Sequence, residues 1–509
     1  MVNVGDKVLI HGKEYTLGTR VGGGLEGSIF DVEGLPKGSL KHVIKIINDT
    51  KMSKLQRDET YNHLEWLCKL GSRNKDIRRV LTVPKALLDD HLGYIMLKAS
   101  EHDNLKKYLE VPDMTDFDEW YKKRFTLKKR YQIIVNLFNS LRTLHLSGLV
   151  FTDLSPNNIM VHKTQNQIVF IDTDNTRNRM DSYLGVLGTP GYMAPEIYRK
   201  PDLNLAKSCG IDPKILSNCG RITPESDIFS AAVIAFQLIT LQHPFIGDEI
   251  EEGEPELEEE ALAIKTDYIM KEGTSNTSSR NLVPQFEKLT TPKIRELFYK
   301  TFVDGKSNPA LRPTDEEFLE AFQNALDLIV ECPNCGYSRL YSFEEKNECI
   351  NCENIIGPKV VLIMYNVFKD MKRDELINSI GEFPKLSVNL DNLKDMDGNE
   401  PVNFFETSRI ILEPGEKNAK YLYLRHFEEN TDRSKPYARI TLSENEESLK
   451  VEILNNAFQN PYLIEKKTMT HISLGSGKEN IQYDKYGILF DSKKQGKGWL
   501  QIFCKFIKV

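Results

Sequence analysis

The sequence predicts an α+β fold in which a β-rich lobe precedes an α-rich lobe, with a cleft between them. Three observations predict it. Residues 1–110 hold short β-type runs separated by glycine-bearing turns. From about residue 126 to residue 330, apolar side chains recur at helical spacing in long stretches. Beyond about residue 400, apolar and polar residues alternate again, which predicts a separate all-β domain at the C-terminal end.

The individual elements follow from the same patterns. In the first lobe, strands are expected at residues 8–10, 14–19, 28–32 and 42–47, and one long helix at 53–70. In the second lobe, helices are expected at residues 126–148, 225–241, 292–303 and 314–330. Six alternating segments between residues 421 and 509 supply the strands of the C-terminal domain.

Length and composition limit the possible classes of protein. A chain of 509 residues is too long for one hydrophobic core, and we expect domains at 1–330, 331–366 and 367–509. No apolar run approaches the roughly 18 residues that would span a bilayer. The N-terminal residues are charged where a signal peptide would be apolar, so a cytoplasmic protein without membrane attachment is expected. The net charge of −7, with no broad basic stripe, gives no support for nucleic-acid binding.

A glycine-rich turn and a lysine in a strand indicate a phosphate site. The turn Gly22-Gly23-Gly24-Leu25-Glu26-Gly27 precedes a strand, and its small residues let backbone amides approach phosphate oxygens. Glycine turns between strands are common, so the turn alone is weak. Lys45 lies inside the next apolar strand, where a lone lysine usually extends its amine to the surface. Together, the turn and Lys45 favour a site that neutralises nucleotide phosphates.

Three oxygen-bearing side chains follow in the second lobe. Asp153 and Asn158 lie in the segment Asp-Leu-Ser-Pro-Asn-Asn, and Asp172 lies in Ile-Asp-Thr-Asp just after an apolar run. Phosphoryl transfer needs a carboxylate beside the acceptor hydroxyl and hard oxygen ligands for Mg²⁺. Each residue alone is common in turns. All three at this spacing, downstream of Lys45, predict that chemistry.

These motifs resemble those of the protein kinase superfamily, and the resemblance covers about residues 15–325. It implies that residues 22–27 cover the phosphates of ATP and that Lys45 binds its α- and β-phosphates. Leu97 and Ala99 then belong to the hinge beside the adenine. By the same resemblance, Asp153 is the catalytic aspartate. The role of holding Mg²⁺ falls to Asn158 and Asp172.

The resemblance extends to structural positions in the second lobe. Gly188-Thr189-Pro190 and Ala194-Pro195-Glu196 are similar to the end of an activation segment and favour Ser/Thr over Tyr substrates. Asp227 is similar to the buried aspartate that anchors the catalytic loop, and Arg312 to the arginine that pairs with Glu196. His145 occupies a position where kinases carry a packing histidine.

Several residues depart from the family pattern. The usual catalytic-loop arginine is Thr152, the lysine two residues after the catalytic aspartate is Ser155, and the glycine of the metal-binding triplet is Asp174. This combination resembles certain bacterial eukaryotic-like Ser/Thr kinases. The glutamate that pairs with Lys45 in such kinases is expected on the helix at 53–70. Glu59 is the first choice for that role, and Glu65 is the alternative.

Four of the eight cysteines fall in one short window. Cys332-x2-Cys335 and Cys349-x2-Cys352 resemble two zinc knuckles, and residues 337–343 and 360–365 are expected to supply the strands of a zinc ribbon. Four thiolates suit tetrahedral Zn²⁺, and a shell closed by four cysteines indicates a structural site. The alternative is a set of reduced or disulfide-linked cysteines without metal.

The sequence therefore predicts an ATP- and Mg²⁺-dependent Ser/Thr protein kinase, including autophosphorylation, with a structural Zn²⁺. Its expected partners are ATP and a protein substrate with Ser/Thr hydroxyls, and a further protein is possible on the C-terminal β domain. The first alternative is a pseudokinase scaffold that binds nucleotide or proteins without transferring phosphate, since two catalytic-loop cations are missing. The second is a small-molecule kinase of the same superfamily, which usually lacks this activation segment.

Overall fold

The computed structural model divides the chain into two compact units, Met1–Gln323 and Asn324–Val509. It describes residues 2–24, 27–34, 41–110, 117–179, 188–198, 222–369, 403–423, 436–454, 458–465, 471–492 and 499–509. Among these residues, no helix is both long enough and apolar enough to cross a bilayer. The cytoplasmic location and the three domain boundaries stay predictions.

The first unit begins with an antiparallel sheet. Its strands are β1 (Lys7–Ile10), β2 (Lys13–Gly23), β3 (Gly27–Glu33), β4 (His42–Ile47), β5 (Ala86–Leu87) and β6 (Gly93–Leu97), in the order β1-β2-β3-β4-β6-β5. The four predicted strands are confirmed. Successive side chains of β4 point to opposite faces of the sheet, so Ile44 and Ile46 pack in one apolar cluster and Val43 and Ile47 in another.

Helix α1 (Lys54–Arg73) packs on the second of these faces. Its N-terminus is a capping box: Ser53 Oγ accepts from the Gln56 amide at 3.3 Å, and Gln56 Oε1 accepts from the Ser53 amide at 2.9 Å. Leu64 and Leu67 bury the helix against the sheet. Since Lys45 is two residues from both Val43 and Ile47, its side chain lies on the same, α1-facing side of the sheet.

The rest of the first unit is mainly helical. Among its described residues, the helices are α2 (Ile77–Val80), α3 (Phe117–Arg124), α4 (Leu127–Leu146), α5 (Pro195–Tyr198), α6 (Pro224–Thr240), α7 (Asp248–Glu251), α8 (Pro255–Leu262), α9 (Phe286–Leu289), α10 (Pro292–Tyr299), α11 (Gly305–Ser307) and α12 (Asp315–Leu326), the last of which runs past Gln323. Short strands β7 (His102–Asn104), β8 (Leu149–Val150), β9 (Ile159–His162), β10 (Ile168–Phe170) and β11 (Arg177–Asn178) flank the segments that hold Asp153, Asn158 and Asp172. The predicted helices are confirmed, although the last ends at Leu326, just before a strand begins.

The second unit contains a short hairpin and two larger sheets. The hairpin pairs β12 (Ile329–Glu331) with β13 (Ser338–Leu340). The larger strands are β14 (Val360–Lys369), β15 (Asn403–Leu412), β16 (Lys420–Tyr423), β17 (Pro436–Leu442), β18 (Leu449–Ile453), β19 (Phe458–Glu465), β20 (His471–Ser473), β21 (Gly477–Ile481), β22 (Tyr486–Ser492) and β23 (Trp499–Lys508). They form sheets in the orders β15-β14-β23-β22-β19-β20 and β16-β17-β18-β21.

One apolar core draws on both sheets, with Leu362 and Phe506 from the first and Ile440 and Val451 from the second. The predicted all-β domain is confirmed. The predicted ribbon strand at 360–365 is wrong, because β14 pairs with β15 and β23 in the six-stranded sheet. The physical reason is its continuous apolar sequence: such a strand must be buried on both faces, which a small ribbon does not offer.

Candidate active site

The glycine-rich turn joins β2 and β3, and two of its glycines are required by the backbone itself. Gly23 has φ 123°, and a Cβ there would lie 2.4 Å from the Gly27 carbonyl oxygen. A Cβ on Gly27 would lie 2.5 Å from the carbonyl oxygen of Ile46 in the neighbouring strand. Gly24 is different, because its Cβ position is open. Gly22 lies in β2, while Leu25 and Glu26 lie outside the described residues. The open side of Gly24 suits close approach of a phosphate.

Lys45 is buried, with 5% of its surface exposed, and its amine is bound by two carboxylates. It donates to Asp172 Oδ1, and to Asp174 Oδ1 and Oδ2 at 2.9 and 2.8 Å. Burial lowers the pKa of Lys45, but the carboxylates of Asp174 and Asp172 outweigh it, and the pKa is raised. The ammonium is therefore retained in an apolar setting because it has counterions.

The expected pairing of Lys45 with a glutamate of α1 is wrong for this structure. Glu59 is exposed and makes no contact with Lys45, and Glu65 is also exposed and pairs with Lys69 at 2.9 Å. The physical reason is that the segment after β10 turns back towards β4 and supplies two carboxylates, so the lysine is already neutralised.

Asp153 and Asn158 lie together on the loop between β8 and β9. Asn158 Nδ2 donates to the Asp153 carbonyl and to Asp153 Oδ2, both at 2.9 Å. This leaves the amide oxygen of Asn158 directed away from Asp153. Thr189 Oγ1 donates to the other oxygen, Asp153 Oδ1, at 2.8 Å. Ile171 donates its amide to the Asn158 carbonyl at 2.9 Å, which brings the loop beside Asp172.

The loop and the segment after β10 are held in uncommon backbone conformations. Thr152 has φ 75° and Asp172 has φ 61°, both in the left-handed region. The buried Asp227 on α6 stabilises the first of these by accepting from the amides of Phe151 and Thr152 at 2.7 and 3.1 Å. Thr152 Oγ1 donates to the Asn175 carbonyl at 2.8 Å, which joins the two segments.

The two aspartates of the Asp172-Thr173-Asp174 segment have different electrostatics. Burial and the neighbouring Asp174 raise the pKa of Asp172 to about 6. Burial also acts to raise the pKa of Asp174, but Lys45 outweighs it and the pKa is lowered. Of the two, Asp172 is the more exposed, at 32% against 14%. Asp174 is thus the more buried partner of Lys45 and binds it with both oxygens, and Asp172 is the more exposed partner.

The predicted pair of Arg312 with Glu196 is confirmed, and His145, expected only to pack, binds two carboxylates. Arg312 forms a bidentate pair with Glu196, with both N–O distances at 2.7 Å. His145 binds Asp227 through Nε2 at 3.2 Å and Asp315 through Nδ1 at 2.7 Å. The first contact ties the activation segment to the helical core, and the second ties the catalytic loop to it.

The four window cysteines lie together in the second unit. Their Sγ atoms are all within 4.8 Å of one another, with Cys335–Cys349 at 3.3 Å and Cys332–Cys352 at 3.7 Å. All four are free thiols. Backbone and side-chain N–H groups point at the sulfurs, from Asn351 to Cys349 and from Asn334 to Cys352, each at 3.4 Å. A tetrahedral Zn²⁺ with Zn–S bonds of about 2.3 Å needs sulfurs about 3.8 Å apart, so these residues fit the metal.

A family model described as the protein kinase domain matches residues 15–322. The chain belongs to the protein kinase family. Calcium-dependent protein kinase 5 of Plasmodium berghei is 28% identical over 225 residues, which is 42% of this chain and 34% of that protein. Serine/threonine-protein kinase PknG of Mycobacterium leprae is 31% identical over 110 residues, 22% of this chain and 13% of that protein.

A third relative, serine/threonine-protein kinase pkn3 of Myxococcus xanthus, is 25% identical over 207 residues, covering 38% of this chain and 31% of that protein. The matches thus span about a third or less of the length of these relatives. The kinase domain has Ser/Thr kinase relatives at low identity.

The assignment of Leu97 and Ala99 to an adenine hinge stays a prediction. Leu97 ends β6 and is 37% exposed, and Ala99 follows it two residues later. Ser155, at the usual lysine position, is fully buried. Sequence reasoning assigned no role to Asp174. Its signal in the sequence was a second acidic residue two positions after Asp172, where the family has glycine. The role of this residue follows once Lys45 is found to have no glutamate partner on α1.

Proposed function

We propose that the chain is an active ATP-dependent Ser/Thr protein kinase that phosphorylates protein hydroxyls, its own included. The observation that carries the proposal is the preset geometry of Asp153. Its carboxylate is oriented by Asn158 on one oxygen and Thr189 on the other, on a strained loop that Asp227 holds. A scaffold that only binds nucleotide does not need a carboxylate positioned to receive a hydroxyl proton.

Each residue has one role in this proposal. Asp153 orients the substrate hydroxyl and accepts its proton, and Lys45 binds the α- and β-phosphates. The Asp172 carboxylate and the Asn158 amide oxygen would hold Mg²⁺, since both are hard oxygen donors. When bound, Mg²⁺ neutralises phosphate charge. Residues 22–27 cover the phosphates, with Gly24 giving the closest approach.

The hydroxyl of Thr189 supports Ser/Thr substrates over tyrosine. Its Oγ1 donates to Asp153 Oδ1 at 2.8 Å. A small aliphatic hydroxyl therefore fits at this position, and the serine or threonine of a substrate would approach the same carboxylate.

A pseudokinase is the second candidate, and the observation that favours it is Ser155. Its fully buried side chain brings no positive charge to the transferred phosphate, where kinases usually have lysine. We give this less weight because Lys45, Asp153, Asn158 and Asp172 are all retained and adjacent.

The deciding experiment incubates the full chain with γ-labelled ATP and Mg²⁺ and measures autophosphorylation and phosphorylation of a generic protein acceptor. Asp153→Asn should reduce transfer by about 10²- to 10⁴-fold with ATP affinity within about threefold of wild type, since the aspartate does not grip the nucleotide. Asp267→Asn is the control, because Asp267 is exposed and pairs with Lys271 on the surface. Wild-type protein that binds ATP without transfer would establish the pseudokinase instead.

We also propose that Cys332, Cys335, Cys349 and Cys352 hold a structural Zn²⁺. The ribbon around them has only the two short strands β12 and β13 and little apolar core, so the metal would supply much of its stability. The C-terminal β sandwich is proposed to bind a partner or substrate protein.

A further inference from the structure

Lys45 has two acidic partners, and they are unequal. Asp174 contacts the ammonium with both carboxylate oxygens, at 2.9 and 2.8 Å, whereas Asp172 contacts it with one. In addition, Asp174 is the more buried of the two. One lysine between two carboxylates leaves a net negative charge at the site. One carboxylate can therefore bind another cation while the other stays paired with Lys45.

Two further neighbours hold Asp174 in place. The hydroxyl of Tyr94 donates to Asp174 Oδ1 at 3.3 Å, and Tyr94 is fully buried and directly opposite Lys45 in the β4–β6 register. The backbone carbonyl of Asp174 accepts from Arg177 Nη1 at 2.7 Å. Arg177 in turn contacts His63 of α1 at 2.6 Å.

The third position of the triplet does not require glycine in this chain. The φ of Asp174 is not positive, and the residue lies in a short 3₁₀ turn at Thr173–Asn175. A side chain is therefore accommodated there without backbone strain. The turn directs this side chain at Lys45, where the glutamates of α1 do not reach.

We propose that Asp174 is the permanent counterion and positioning residue of Lys45, taking the place of a helix glutamate and leaving the Asp172 carboxylate for Mg²⁺. This inference rests on the proposed function only in assigning the metal role to Asp172. It implies that the position of Lys45 is set by the segment after β10 and by β6, and that no carboxylate of α1 takes part.

Acylation of the Lys45 amine tests the pairing without relying on catalysis. Asp174→Asn removes the charge of a carboxylate that contacts the Lys45 amine with both oxygens, so the amine is held less tightly and is more open to the reagent. In Asp174→Asn, acylation of Lys45 at pH 8 should be at least fivefold faster than in wild type, as measured by mass spectrometry. Glu59→Gln and Glu65→Gln should react at the wild-type rate.

Two comparisons separate this effect from unfolding. The exposed Lys75 serves as an internal reference in every sample, because its labelling rate does not depend on the fold of the site. Asp174→Glu keeps the charge, so it should retain slow labelling of Lys45 even where it lowers thermal stability.

The same variants are then titrated with Mg²⁺ in the phosphorylation assay. With Asp174 neutral, Lys45 competes with the metal for Asp172, and Asp174→Asn should need at least a fivefold higher Mg²⁺ concentration for half-maximal rate. Unchanged labelling in Asp174→Asn overturns the proposal, and a raised Mg²⁺ requirement alone would make Asp174 a metal ligand. Faster labelling in Glu59→Gln would return the pairing to α1. A wild-type chain without kinase activity defeats the proposed function, while the labelling result still decides the counterion.

Discussion

Asp227 and His145 connect the catalytic loop to the helical core through hydrogen bonds between charged side chains. Asp227 accepts three hydrogen bonds, from the amides of Phe151 and Thr152 and from the ring of His145. The second ring nitrogen of His145 binds Asp315. Because both nitrogens face carboxylates, the imidazole is held in its protonated form. Burial lowers the pKa of His145, but the bonds to Asp227 and Asp315 outweigh it and raise the pKa to about 9.

This pair of contacts predicts a loss of stability in alkaline solution. A pKa raised from 6.5 to about 9 corresponds to on the order of 3 kcal/mol. That stability is fully present below pH 6.5 and is lost as the pH rises through about 9. Urea denaturation of the kinase domain between pH 6.5 and pH 9.5 should show a falling free energy of unfolding.

The matched comparison for this prediction is His145→Asn against His11→Asn, since His11 is exposed. His145→Asn should remove most of the pH dependence, and His11→Asn should preserve it. A wild-type chain whose stability is constant over this range would contradict the assignment of a charged His145. The buried His243 contributes little here, because burial lowers its pKa to about 4 and its effect on stability therefore falls between about pH 4 and its ordinary pKa of 6.5, below the measured range.

At the scale of elements, the glycine-rich hairpin separates structural from ligand-binding glycines. Gly23→Ala should strain the hairpin, because its φ is 123° and its Cβ would meet the Gly27 carbonyl at 2.4 Å. We expect it to lower the melting temperature and weaken ATP binding together. Gly24→Ala has open space at the Cβ and should weaken ATP binding with an unchanged melting temperature. Equal melting temperatures for the two variants would show that the turn relaxes freely.

The activation segment predicts weak control by phosphorylation. Thr152 stands where kinases carry the arginine that receives a loop phosphate, and its hydroxyl already joins the catalytic loop to Asn175. Thr176 is fully buried, and Thr189 is bound to Asp153, so neither is presented to another kinase. Ser182, the third candidate acceptor, lies outside the described residues.

We therefore expect phosphatase treatment to change the phosphorylation rate by less than about threefold, because position 152 has no arginine to bind a phosphate on the activation segment. The assay compares treated, untreated and rephosphorylated protein on the same acceptor. Ser182→Ala serves as the matched variant, and it should behave like wild type. A tenfold loss that rephosphorylation restores would overturn the prediction.

The elements also show how far the sequence leads. Period-two and helical patterns located the strands around Lys45 and the helices around Asp153. They could do so because the spacing of apolar residues along the sequence shows which face of a strand or helix is buried. The partner of Lys45 was not available from such patterns. Glu59 lies on the expected helix, but the pairing depends on which carboxylate the tertiary fold brings to the lysine. Asp174, the residue that pairs, is 129 residues away from Lys45 in the sequence. Likewise, residues 360–365 were recognisable as a strand. Their partner strands could not be predicted, because these depend on which hydrophobic core buries the strand.

At the scale of the whole chain, the second unit combines the cysteine cluster and the β sandwich. The hydroxyl of Tyr341, next to β13, donates to the carbonyl of Val509 at the end of β23, at 2.9 Å. Ile411 of β15 donates its amide to the Asp327 carbonyl at 3.0 Å. The ribbon is thus tied to the sandwich by hydrogen bonds, and the sandwich has its own core. Loss of the metal should loosen the ribbon while the sandwich stays folded.

The last prediction follows from this arrangement. Purified protein should contain about one zinc per chain by elemental analysis, because four thiolates close the coordination shell. Cys332→Ser should lose the metal and be cleaved faster by protease near residue 350, with ATP affinity close to wild type. Cys504→Ser is the matched control, because Cys504 is buried in the sandwich and is not one of the four clustered cysteines. It should keep its zinc and resist cleavage near residue 350. Zinc-free protein with unchanged protease resistance would refute the structural metal. Loss of ATP binding together with zinc would place the ribbon within the catalytic domain and move the proposed boundary near residue 330.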